Sequence, residues 1–210
     1  MTEQIRDRYL YQKEEYELLE HPGQSLFSPE PFGMEPVMMH TGCWRGYYAE
    51  YEIVNDAIYL NKLTIRDRNG KYVPIGGVIP EKAFVSPDIF PQEKELNSAT
   101  IEGKTVYYPE NSATSVVYSN MSFKLPFTGK IRLAKDTVVD VPHEMNLLVI
   151  LLYEASRYRT VIDLTIDEGT VVQVVDRSQE IESRRKQYIQ LIADGQDDIE
   201  ALRCLKMDMI

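Results

Sequence analysis

Residues 46–65 constrain the fold more tightly than any other part of the chain. Tyr47, Ala49, Tyr51 and Ile53 alternate with Tyr48, Glu50 and Glu52, and Asn55-Asp56 then leads into a second run carrying Ile58, Leu60 and Ile65. A period of two sorts side chains onto opposite faces of an extended strand, whereas a helix would scatter the same residues around its surface. Asn and Asp tolerate the left-handed backbone that a two-residue hairpin turn demands. The pattern predicts a β-hairpin with Tyr47 and Tyr51 on one face and Tyr48 on the other.

The flanking sequence extends the same reading. Arg8-Tyr9-Leu10-Tyr11 and Tyr16-Glu17-Leu18-Leu19 are β-prone runs around a polar turn, an opening hairpin. Pro22, Pro29, Pro31 and Pro36 remove donors and fix φ, so residues 21–36 read as a loop, one whose Leu26, Phe27 and Phe32 should pack onto the domain. Residues 73–91 are again mostly loop. Gly103 marks a tight turn, residues 116–123 the next strand, and the continuously apolar residues 147–152 a further one. Residues 158–166 and 170–175 form a late hairpin turning at Glu168-Gly169. Beyond Asp176 the spacing of Ile181, Tyr188, Ile189 and Ile192 predicts a helix stopped by Gly195, and Asp197 opens a second short one bearing Ile199, Leu202 and Leu205. The expected fold is mainly β, an antiparallel sandwich or partly open barrel over residues 1–175, with a helical hairpin over 176–210 packed on it or on a partner chain.

Charge and cysteine usage narrow the function classes. Lys and Arg number 23 against 33 Asp and Glu, a formal charge of -10, which repels phosphate backbones and anionic lipid. Nucleic-acid and membrane partners are not expected. The N-terminus lacks an apolar leader pattern and the apolar runs are too short to span a bilayer, so a cytoplasmic location is expected. Cys43 and Cys204 stand far apart without a CxxC spacing, and both are read as reduced thiols.

The densest chemistry lies at His40-Thr41-Gly42-Cys43-Trp44-Arg45-Gly46. A nucleophilic thiol needs a base within reach and a lowered pKa, which His40 or Arg45 could supply to Cys43. The alternative makes Cys43 and the lone Trp44 core residues, Trp44 anchoring the loop against the sheet, with Arg45 paired to a carboxylate; that reading outweighs catalysis. His40, Cys43, Trp44, Arg45 and Tyr48 together are the candidate ligand-binding residues. His21, His40 and His143 lack HxH or HExxH spacing, so no metal is assigned and no cofactor is expected. Arg184-Arg185-Lys186 reads as a solvated helix face or as a set of intramolecular ion pairs.

The block Cys43-Trp44-Arg45-Gly46-Tyr47-Tyr48-Ala49-Glu50-Tyr51-Glu52-Ile53, followed by Ile58-Tyr59-Leu60, resembles a family of uncharacterised bacterial proteins with a C-W-R-G-Y-x-A-x-W/Y-x-I motif. The likeness extends to Met121-Ser122-Phe123-Lys124-Leu125-Pro126 and to Arg157-Tyr158-Arg159 before Asp163-Leu164. It implies a bacterial cytoplasmic β protein and carries over no catalytic residue.

These features favour a non-enzymatic protein that binds another protein, in its specific form an immunity-type protein neutralising a basic toxin. The rival is a small-molecule enzyme or hydrolase with a pocket at the junction of residues 40–45. The apolar stripe of the tail leaves a homodimer as a further expectation.

Overall fold

The computed structural model describes residues 5–20, 26–82, 96–109, 114–138 and 154–207. Strand accounts for 47% and helix for 18% of it, so the chain is mainly β with a short C-terminal helical region. Its strands are β1 (Arg8–Tyr11), β2 (Glu14–Glu20), β3 (Tyr47–Val54), β4 (Ala57–Ile65), β5 (Glu81–Lys82), β6 (Asn97–Ile101), β7 (Lys104–Tyr108), β8 (Val116–Tyr118), β9 (Phe123–Lys124), β10 (Gly129–Thr137), β11 (Tyr158–Asp167) and β12 (Thr170–Asp176). Helices α1 (Ser178–Ala193) and α2 (Asp198–Leu202) follow. The chain divides into two compact units, one built from Met1–Gln12 and Ser25–Leu125, the other from Lys13–Gln24 and Pro126–Ile210.

In the first unit the strand order is β1-β3-β4-β8-β5, with β9 also on β4 and β6-β7 as a separate pair. The β3–β4 hairpin forms as its alternation predicts. Tyr47, Ala49, Tyr51 and Ile53 are buried and Tyr48, Glu50 and Glu52 only half so. Asn55 and Asp56 turn it with φ of 49° and 60°, the left-handed pair of a two-residue hairpin. One pairing is parallel: β1 lies beside β3 with Tyr9 opposite Tyr51. Parallel neighbours need a long connection, and the proline-rich stretch before Tyr47 supplies part of it.

The strand expected over 116–123 is broken into β8 and β9. Asn120 takes φ of 54°, and the Met121 N–H donates to the Asn61 carbonyl. Asn61 is the extra residue of a bulge in β4, which pairs Glu50 with Lys62 but Tyr51 with Leu60, and the partner strand bends with it. In the proline-rich loop Leu26 and Phe27 are buried, and Phe32, half-buried, meets Phe123 edge-on with centroids 5.9 Å apart.

The second unit orders β2-β10-β11-β12. Strand β10 has no counterpart in the sequence reading, because Ile131, Arg132, Leu133 and Ala134 are all buried and the period of two vanishes. Arg132 is the reason. Its guanidinium grips Asp163 of β11 through Nε at 2.7 Å and Nη2 at 3.0 Å, and Arg177 reaches the same carboxylate at 3.0 Å. A buried charge survives in a core only when so paired.

Ser178 opens α1, and its Oγ accepts from the Val161 N–H. The helix buries Ile181 against Ala134, Tyr158, Val161 and Met207. Tyr188 packs with Ala201, Leu202 and Leu205 of the C-terminal turn, closing a helical hairpin, and Gly195 at φ of 81° ends α1 as expected. Ile189 departs from the predicted stripe: it is 61% exposed, one step off the buried face. Among the described residues no helix is long and apolar enough to cross a membrane. The strand expected at 147–152, the side chain of Ile199, and His21 and His143 lie outside the described residues.

Candidate functional site

Gly46 shapes the loop that carries most of the candidate residues. Its φ is 80°, and a Cβ there would fall 2.5 Å from the Val37 nitrogen, so only glycine fits. Arg66 N–H donates to the Gly46 carbonyl at 3.0 Å while Val37 N–H donates to the Arg66 carbonyl at 2.9 Å, locking the loop to the end of β4.

The loop turns back on itself between those anchors. Met39 N–H donates to the Cys43 carbonyl and Cys43 N–H to the His40 carbonyl, at 3.1 and 2.8 Å. His40 Nδ1 accepts from the Gly42 N–H at 3.2 Å, and the Ile5 N–H donates to the Gly42 carbonyl at 2.7 Å. Trp44 Nε1 donates to the Thr41 carbonyl. The indole is thereby held in one orientation by its polar edge while its ring faces solvent.

Trp44 overturns the expectation of a buried anchor, for it is 52% exposed. Met38 at 59% and Ile5, whose backbone bonds to Gly42 of the same loop, at 43% are exposed as well, and His40 and Thr41 lie at the surface. The burial assigned to Trp44 falls instead to Cys43, which has no exposed surface and directs its Sγ at the Tyr47 carbonyl, 3.5 Å away. A thiol enclosed in this way cannot meet a substrate, and the base that would activate it sits outside on the surface.

Arg45 pairs with a carboxylate as expected, and the partner is Asp7, ahead of β1. Asp7 Oδ1 also accepts the Ala49 N–H at 2.9 Å, tying the start of β1 to β3. Arg45 Nε donates to the Tyr47 carbonyl at 2.8 Å, and its guanidinium lies 4.5 Å from the centre of the Tyr47 ring. Burial works against the Arg45 charge, but Asp7 and Tyr47 outweigh it and the pKa moves up. This is a permanently charged structural clasp.

Beneath it lie two residues that alternation placed inward without marking them as unusual, Tyr9 and Tyr51. Burial, the adjacent Asp7 carboxylate and, for Tyr9, the Tyr51 phenol push both phenols well above their ordinary pKa. The structure thus brings Cys43, Arg45 and Tyr47 together, sets His40 and Trp44 on an exposed rim, and leaves Tyr48 on the opposite face of β3. Asp7 was missed because a single Asp between Arg6 and Arg8 looks like any surface residue. Among the described residues no group of three His, Cys, Asp or Glu is placed to hold a metal ion.

No protein-family model matches the chain, and no curated protein or solved structure is significantly similar to it.

Proposed function

We propose that this chain is a non-enzymatic binding protein that engages another protein through the Trp44 rim. The observation that carries the reading is the exposed indole on a loop fixed by backbone hydrogen bonds. Large exposed aromatic rings are the anchors on which protein interfaces concentrate their binding energy, and a loop ordered beforehand loses little entropy on docking. A formal charge of -10 suits a basic partner, and an immunity-type role against a basic toxin in the bacterial cytoplasm is its specific form. The resemblance of the block from Cys43 to Ile53 to bacterial proteins supports the same setting. Phosphate backbones and anionic lipid fit this charge poorly.

The test compares the full chain with Trp44→Ala as affinity baits in the source bacterium. One basic protein retained by the first and lost from the second, at equal melting temperature, is the expected result. Retention indifferent to Trp44 overturns the reading. A self-complex lost with the indole would assign the rim to a second copy of the chain instead.

A further inference from the structure

Tyr9 and Tyr51 face each other across the parallel β1–β3 pair, with ring centroids 4.8 Å apart and planes tilted by 31°. Their exposures are 0% and 1%. Both hydroxyl oxygens are buried, and neither meets a hydrogen-bond donor or acceptor among the described residues. The nearby polar groups are engaged elsewhere: Asp7 Oδ1 with Arg45 and the Ala49 N–H, the Tyr47 hydroxyl with the Phe27 carbonyl at 3.0 Å.

We propose that the Tyr9 and Tyr51 hydroxyls form a binding site for one enclosed water molecule that bridges them. A buried phenol without a partner bears its full desolvation cost, and folded proteins meet that cost with ordered water in contact with several polar groups. Both phenols remain protonated, so each has a hydrogen to donate as well as lone pairs to offer. The Asp7 carboxylate beside them disfavours an anion, and their near-complete burial favours a small occupant over a large one. A neutral ligand of water's size fits both constraints. Bridging the two strands at directly opposed residues, it fixes β1 in its parallel register on β3.

The experiment uses the full chain and its Tyr9→Phe, Tyr51→Phe and doubly substituted variants, which keep the rings and hence the packing. With a bridging water each single variant melts about 2–4 °C lower, and the double variant falls by less than the two combined, because both hydroxyls hold the same molecule. A rise in melting temperature in either single variant overturns the proposal, since it means an orphan hydroxyl has been removed. A crystal structure of the full chain decides independently of stability: density for one water within hydrogen-bond distance of both oxygens supports the site, and its absence, or density for a larger molecule, refutes it.

Discussion

At the scale of single residues, Trp44 and Gly46 stand for opposite kinds of constraint two positions apart. Trp44→Ala removes a half-exposed ring and should cost no more than about 1 kcal/mol, against the roughly 3–5 kcal/mol of a buried one, as chemical denaturation would measure. Gly46→Ala puts a methyl against the Val37 backbone at a left-handed φ, and an unfolding free energy lowered by less than about 2 kcal/mol would contradict that geometry. The inward and outward tyrosines of β3 were legible in the sequence because alternation encodes them directly. Trp44 was misread because composition associates a lone tryptophan with the core, whereas its exposure depends on the turn from His40 to Cys43, which no periodicity describes. The Asp7–Arg45 pair was legible only from the Arg45 side, since its partner comes from a distant stretch of chain.

At the scale of elements, α1 lends itself to the sharpest tests. Ile181→Ala should cost about 2–5 kcal/mol through loss of its contacts with Val161 and Tyr158, while Ile189→Ala should stay within about 0.5 kcal/mol. The N-terminal part of the helix is also acid-sensitive. Hydrogen bonds from Ser178 hold Asp176 below the usual carboxylate range, those from Arg184, with Arg177, do the same for Glu180, and Lys186 does so for Glu182. Carboxylates with lowered folded pKa values stabilise fully above their unfolded value of about 4 and lose that contribution as pH falls through the folded values. Far-UV circular dichroism should therefore show helix lost below about pH 4, and Glu180→Gln should flatten the pH dependence in that range. Hairpins joined by two-residue turns were readable element by element. Strand β10 was not, because burial on both faces and the internal Arg132–Asp163 pair erase the alternation on which such a reading relies.

At the scale of the whole molecule, the tail is part of a core. Truncation after Asp176 removes Ile181 and Met207 from Ala134, Val161 and Tyr158, so the shortened chain should aggregate, as light scattering would register. The sequence marked the change of composition at Asp176 but not the discontinuous make-up of the units, since which distant strands pair is decided by register and not by local pattern. The parallel pairing of β1 with β3, and the antiparallel pairing of β2 with β10 in the second unit, bear on how fast the chain acquires its structure. Tyr9 reaches Tyr51, and Leu18 reaches Leu133, only after long stretches of intervening chain have been closed into loops. Chains dominated by such distant pairings fold slowly, and strand edges awaiting a distant mate stay exposed to proteases and to other chains throughout that interval. Stopped-flow refolding of the full chain should accordingly fall in the range of roughly milliseconds to seconds and not microseconds.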